Sequence, residues 1–208
     1  MNDSLSRHAI DTVEALEALF GAVGAASLQK EVPRIAPCYR AVIEASPFVV
    51  LATSGPDGLD ASPRGDAPGF VLVQDEHTLL LPERRGNNRI DSLRNILVDP
   101  RVALLFLIPH AGETLRVNGR ATITVDPVLL ARCAVDGKAP QCVISIAVET
   151  AFFQCARAIR RSNLWQAAPP SPGTLPSAGS MLAALSEGAI DGAKYDEELP
   201  ARQIASLY

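Results

Sequence analysis

Short apolar segments separated by polar breaks run through the middle of this chain, from about residue 48 to residue 150. The clearest is "TLRVNGRATITV" at 114–125, where apolar or small residues alternate with polar ones without a break. An unbroken period of two predicts a half-buried antiparallel strand. The other segments that predict strands are "FVVLAT" (48–53), "LDASPRGD" (59–66), "VISIAVET" (143–150) and the hairpin "FVLV-QDEH-TLLL" (70–81).

Helical spacing replaces this alternation in a few places. Apolar residues recur every three or four positions in 9–23, which predicts an N-terminal helix. Shorter helices are predicted at 37–45 and 126–132. Five or six strands with short helices between them indicate a mainly β fold, an antiparallel barrel with helical decoration. The regular strand–helix alternation of a doubly wound sheet is missing.

A proline-rich stretch, "APPSPGTLPSAG" (168–179), separates this body from a helix-like tail. We therefore expect an N-terminal helical extension at 1–36 and a barrel at 37–166. A linker with a helical tail follows at 167–208.

The bulk composition narrows the possible partners. The 208 residues carry 23 acidic and 19 basic side chains, for a net charge of −4, which does not indicate a nucleic-acid-binding protein. The longest apolar runs, at 48–52 and 102–108, are too short to span a bilayer. The N-terminus shows no signal-peptide pattern. We expect a cytoplasmic protein with no nucleic-acid or membrane partner.

The cysteines and histidines form no recognisable cluster. Cys38, Cys133, Cys142 and Cys155 form no Cys-x-x-Cys pair, and the three histidines are scattered. These spacings predict no metal site. The cysteines are interpreted as small buried residues, and no catalytic residue can be named.

Arginines gather in "PERRGNNRIDSLRN" (82–95), where a strand gives way to an amphipathic helix. Asn88 is the predicted N-cap, with Asp91 three residues later in a position like that of a capping box. Because the positive end of a helix favours anions, several arginines at this point indicate a phosphate ligand. The alternative is that they face solvent or pair with Glu83, Asp91 or Asp99.

Further arginines lie on predicted strands: Arg64, Arg116 and Arg120. They favour an internal anion site, although Arg116 and Arg120 could equally be ordinary exposed residues. No dinucleotide, P-loop or nucleophile–base motif is present. A phosphate site with little acid–base machinery is expected where a cofactor performs the chemistry.

Three segments resemble the pyridoxamine-5′-phosphate-oxidase-like FMN-binding split-barrel family. They are "SPFVVLATSGPDGLDASPRGD", "LLLPERRGNNRIDSLRNILVDPRVALLF" and "TLRVNGRATI". They are most similar to a branch of FMN-dependent enzymes without an assigned substrate, and the likeness spans residues 37–166. It implies a six-stranded antiparallel split β-barrel with N-terminal and connecting helices. It also implies a homodimer that holds FMN in the clefts between subunits.

The resemblance implies a set of FMN-binding residues. Arg64 stands at the family's strand arginine, and "NNR" (87–89) stands near a Ser-Arg-Lys turn that grips the phosphate. The spacing from Arg89 to Asp99-Pro100 is about one helical turn longer than is usual in the family. The phosphate ligands could therefore be any of Arg85, Asn88, Arg89 and Ser92. Arg161 and Trp165 resemble the late basic and aromatic residues that close the cleft in the family. Trp165 could instead anchor a core or a dimer interface. The residues implied for FMN are Arg64, Gly65, Leu81, Pro82, Arg85, Asn88, Arg89, Thr114, Arg161 and Trp165.

One departure from the family affects function. The oxidases proper carry an Arg-Leu-His-Asp-Arg motif near the C-terminus, and this chain has "ELPARQIASLY". Pyridoxamine phosphate oxidation is therefore not expected. We expect an FMN-dependent oxidoreductase that acts on another small molecule, because fold alone does not supply a substrate. The alternatives are a non-enzymatic flavin or haem binding protein, with His110 as the haem ligand, or a deazaflavin-dependent reductase.

Overall fold

The computed structural model describes residues 8–171 and 173–208, and the chain divides into two compact units. The first unit extends to Glu31 and the second is Val32–Tyr208. Residues 1–7, in the predicted N-terminal extension, and Pro172, in the predicted linker, lie outside the described residues.

The first unit contains two short helices, α1 (Val13–Phe20) and α2 (Ala25–Gln29). Thr12 caps α1, because its hydroxyl accepts a hydrogen bond from the amide of Ala15. Gly21 ends the helix with a φ of 74°. The single helix predicted at 9–23 is therefore shorter, and its apolar side chains are exposed.

The second unit is built on one antiparallel sheet of seven strands in the order β2-β1-β5-β6-β7-β4-β3. This confirms the predicted antiparallel split barrel. The described residues form one strand more than the six expected, and the shortest is the four-residue edge strand β3, which pairs with β4 alone. The strands are β1 (Phe48–Gly55), β2 (Gly58–Gly65), β3 (Leu72–Asp75), β4 (Thr78–Glu83), β5 (Arg101–Leu107), β6 (Thr114–Thr124) and β7 (Cys142–Gln154).

The longest ladder joins β6 to β7, as the unbroken alternation in 114–125 predicts. Its register shifts between Asn118 and Gly119. A Cβ at Gly119 would lie 2.2 Å from the carbonyl oxygen of Ala147, so only glycine permits this approach.

The core lies inside the barrel, where alternate residues of each strand point inward. Phe106, Leu115, Val117, Ile144 and Ile146 are fully buried there. Helix α3 (Pro37–Ala45) covers part of it with its own buried side chains. The period-two pattern therefore identifies both the strands and their buried faces.

Helix α4 (Asp91–Val98) begins later than the sequence suggests. The prediction that Asn88 is the N-cap is wrong: Ile90 holds that position with a left-handed φ of 54°, and no side chain caps the helix. Asn88 is itself left-handed, which turns the chain before the helix can start. Leu97 is 77% exposed, whereas Ser92 is buried.

The remaining helices are α5 (Pro127–Arg132), α6 (Arg157–Ser162), α7 (Ala178–Leu185) and α8 (Gly192–Ala205). Helices α7 and α8 approach closely where Gly179 meets Gly192. Asp196 joins them by accepting hydrogen bonds from the Ser177 hydroxyl and the Gly179 amide. Within the described part of the chain, none of the helices has the length and apolar character needed to cross a membrane.

Candidate functional site: an arginine-lined cavity at the open seam of the barrel

The barrel is open between β2 and the end of β4. In the described residues, β2 forms a ladder with β1, and β4 forms ladders with β3 and β7, but no ladder joins β2 to β4. We call this opening the seam, bounded by residues 60–66 on one side and 82–92 on the other.

Two ion pairs bridge the seam. Arg64 Nε lies 3.0 Å from Glu83 Oε2, and Arg84 Nε lies 2.8 Å from Asp66 Oδ2. Only 15% of each arginine side chain is exposed, and the Asp66 side chain is 2% exposed. Side-chain charges therefore connect the two walls where backbone hydrogen bonds are missing.

A cavity of about 540 Å³ opens in the seam. It collects most of the predicted FMN-binding residues from both walls. The predicted residues that line it are Arg64, Gly65, Pro82, Arg85, Asn88, Arg89 and Ser92.

Four arginines and three carboxylates line this cavity. Arg64 donates to Glu83, to the Ser62 hydroxyl at 2.6 Å and to a backbone carbonyl. Arg89 pairs with Asp91 at 2.8 Å. Arg85 is exposed and forms no ion pair with any residue that the structure describes. Its charge is therefore available to an anion.

The first turn of α4 forms part of the cavity wall. Because Ile90 offers no capping side chain, the amides of that turn have no side-chain acceptor from the N-cap. Buried Ser92 instead donates its hydroxyl to Asp60 Oδ2 at 2.6 Å. The helix end favours negative charge, and Asp60 and Asp91 provide it in this structure.

Asp66 lies just beyond the cavity and holds three donors. Tyr208 donates its hydroxyl to Asp66 Oδ1 at 2.6 Å, Arg84 binds the other oxygen, and the Ala67 amide donates at 2.7 Å. Burial acts to raise the pKa of Asp66, but these hydrogen bonds outweigh it and hold the pKa below its usual value. The hydrogen bond to Asp66 raises the pKa of Tyr208.

The other predicted residues lie outside this cavity. Leu81 is fully buried in the core, and Thr114 pairs with Gln154 at the far end of the β6–β7 ladder. Arg161 is in α6, and Trp165 follows it, donating its indole N–H to the carbonyl of Ala111 at 2.7 Å. The chain thus brings together the phosphate candidates but not the residues predicted to close the cleft.

Sequence reasoning missed several polar groups at this site, chiefly Asp60, Asp66 and the distant Tyr208. Asp60, Arg64 and Asp66 do share one face of the predicted extended segment, which was the available signal. Nothing in the sequence pattern indicates that Tyr208 returns to this wall.

The cysteines are only partly as predicted. Cys133 and Cys142 are buried, and burial raises the pKa of both thiols. Cys38 and Cys155 are exposed, so the interpretation of all four as buried residues is wrong for these two. Across the described residues, no three His, Cys, Asp or Glu side chains are grouped in a way that could hold a metal ion.

Comparison with known proteins identifies the family. The sequence model of the pyridoxamine 5′-phosphate oxidase family matches residues 35–155, more than half of the chain. The chain therefore belongs to the pyridoxamine 5′-phosphate oxidase family, which confirms the predicted resemblance. No curated protein matches the sequence.

Several solved structures are similar to this chain. HupZ from Group A Streptococcus is 20% identical over 56% of this chain and 90% of its own, with a TM-score of 0.46. A pyridoxinephosphate oxidase family protein related to general stress protein 26, from Clostridium acetobutylicum, is 16% identical over 55% and 84%, with a TM-score of 0.42. General Stress Protein 26 from Bacillus anthracis is 20% identical over 54% and 88%, with a TM-score of 0.40. Similarity at this level does not assign a ligand.

Proposed function

We propose that this protein binds FMN in the seam cavity and acts as an FMN-dependent oxidoreductase on a small molecule other than pyridoxamine phosphate. The observation that carries the proposal is the convergence of Arg64, Arg85 and Arg89 with the uncapped first turn of α4 on one cavity. Guanidinium groups and helix amides are the donors that bind phosphate best.

The cavity suits a mononucleotide in size and shape. Its volume of about 540 Å³ lies in the range that organic ligands occupy. Phe70 and Pro82 provide apolar surface in the lining, against which a flat ring can pack. Three of the four lining arginines lie within residues 84–92, so we place the phosphate at that end and the ring towards Pro82.

Phosphate binding requires a change of partners at Arg64. This guanidinium is now held by Glu83 and Ser62, and a phosphate would compete with the carboxylate for it. Arg85 needs no such exchange. We therefore assign first contact with the anion to Arg85 and the more buried, orienting contact to Arg64.

A homodimer would account for three of the four predicted residues that lie outside the cavity. Thr114, Arg161 and Trp165 lie away from the seam of their own subunit. If FMN lies between two subunits, the second subunit would present these residues to the open side of the cavity. They would then shield the ring from water.

When bound, FMN supplies the electron or hydride transfer, which no side chain of this site could perform. The chain holds the phosphate, orients the ring and limits access of water. No described residue is assigned a proton-transfer role.

The first test is the visible absorption spectrum of the purified protein and of the supernatant after heat denaturation. Released FMN is the expected result. A colourless protein that also fails to bind added FMN would reject the proposal, and haem and deazaflavin would then be titrated.

The second test is FMN titration of Arg64→Ala and Arg89→Ala. Each lost charge-assisted bond should weaken binding by about 1.5–3 kcal/mol, roughly 10- to 150-fold. Arg101→Ala is the matched control, because Arg101 is exposed and does not line the cavity. Unchanged affinity in both seam variants would reject the site.

Steady turnover with an electron donor would separate an enzyme from a flavin carrier.

A further inference from the structure

A smaller cavity of about 210 Å³ lies beside the seam cavity. It shares Arg84, Arg85 and Gln141 with the larger one, so the two are neighbours on the same wall. Lys138, from the turn after α5, and Tyr208, after α8, complete its polar lining. Its volume is below the range typical of drug-sized ligands, so it suits a small group.

Tyr208 is fixed in the wall of this cavity by two contacts. Its hydroxyl donates to Asp66, and its ring lies 5.5 Å from Arg84 Cζ, within cation–π distance. Arg84 is fixed in turn by Asp66 and by the carbonyl of Cys133 at 2.8 Å. The ring therefore presents a flat apolar surface in a defined position.

The lining is cationic. Its side chains include Arg84, Arg85 and Lys138 and no carboxylate. Asp66 neutralises Arg84, but Arg85 and Lys138 have no carboxylate partner in the described part of the chain. Asp136 lies near enough to raise the pKa of Tyr208 and is not in the lining. The two free cations thus face a space that is lined by no acidic side chain.

We propose that this smaller cavity binds the anionic group of the substrate, a small molecule that carries a carboxylate or a phosphate on a flat apolar body. Lys138 binds the anion, and the ring of Tyr208 packs against the body. This assignment rests on the proposed function, because a substrate held here would be adjacent to a cofactor in the seam cavity. It makes Tyr208 and Lys138 determinants of substrate specificity.

Calorimetric titration with benzoate and phenyl phosphate tests the proposal, with neutral benzamide as the uncharged comparison. Both anions should bind, with and without FMN, and benzamide should bind at least tenfold more weakly. Lys138→Gln should weaken the anions about tenfold and leave FMN affinity unchanged. Lys194→Gln is the matched control, since Lys194 is an exposed lysine in α8. The better of the two anions identifies the group that the site prefers.

Tyr208→Phe and Tyr208→Ala separate the ring from the hydroxyl. The alanine variant should weaken anion binding severalfold, and the phenylalanine variant should weaken it less because the ring remains. Equal affinity of wild type and Lys138→Gln for both anions, or equal affinity for benzamide, would overturn the proposal. Anion binding that depends on Lys138 in a protein that ignores FMN would preserve this site and reject the proposed cofactor.

Discussion

The barrel is closed in two different ways on its two sides. Along β5, β6 and β7, continuous ladders of backbone hydrogen bonds enclose fully buried apolar side chains. Across the seam, no ladder joins the described strands, and the walls are connected by Arg64–Glu83 and Arg84–Asp66. One sheet thus contains a region held by backbone and apolar burial and a region held by charge.

The difference separates stability from binding. Apolar burial stabilises a fold in proportion to the area removed from water. A largely buried ion pair adds little net stability, because desolvation offsets most of the Coulomb attraction. The seam therefore contributes modestly to folding, but it keeps arginines in place that can exchange a carboxylate for another anion. Four substitutions test this division.

The largest effect is expected in the ladder region, at Phe106. Its side chain is fully buried between β1 and β6, so Phe106→Ala removes a large apolar contact and leaves a cavity. The free energy of unfolding should fall by about 3–5 kcal/mol, measured by urea denaturation. Leu97→Ala, at a residue that is 77% exposed, is the control and should change little. A small loss at Phe106 would show that the ladder is not the stable region.

A smaller loss is expected for Asp66→Asn in the seam. The change keeps the shape of the side chain but leaves Arg84, 15% exposed, without its carboxylate. We expect a loss of about 1–3 kcal/mol, below that for a fully buried pair because Arg84 retains some water. Asp57→Asn, in the exposed turn between β1 and β2, is the control.

The pH dependence of the wild type gives a second measurement on Asp66. The pKa of Asp66 is lower in the folded protein than in the unfolded chain. The stability that its carboxylate contributes is therefore fully present above the unfolded pKa of about 3.9 and is lost as the pH falls through the folded value. The stability difference between wild type and Asp66→Asn should therefore shrink below about pH 4. A difference that stays constant into acid would contradict the assignment.

The ladder region and the seam also differ in how well the sequence predicts them. Period-two alternation in 114–125 predicts β6 and its buried face, because register alone determines which residues point inward. The seam could be predicted only in part. Arginine clustering near 84–89 indicated an anion site, but the N-cap at Asn88 was wrong because two left-handed residues delay the helix. The pairing of Asp66 with Tyr208 spans 142 positions, and no local pattern carries such information.

Glu83→Gln tests the exchange of partners at Arg64. The substitution removes a carboxylate from the cavity and releases Arg64 from its ion pair. FMN should bind about 3- to 10-fold more tightly, because the phosphate no longer competes with the Glu83 carboxylate for the hydrogen bond from Arg64. Fluorescence titration of FMN measures this, with Glu76→Gln, at an exposed glutamate outside the cavity, as the control. Weaker binding would mean that Glu83 orients Arg64 for the ligand instead of competing with it.

The smallest effect is expected for Arg101→Ala, which breaks an ion pair outside the seam. Hydrogen bonds from Arg101 lower the pKa of Asp99 to about 2, yet the Arg101 side chain is 70% exposed. Water replaces an exposed partner readily, so the midpoint of urea unfolding should not change measurably. FMN affinity should also be unaltered, since neither residue lines the cavity. If Arg101→Ala destabilised the protein as much as Asp66→Asn, burial would not distinguish the seam pairs from ordinary surface pairs. The contrast between the two sides of the barrel would then rest on the apolar core alone.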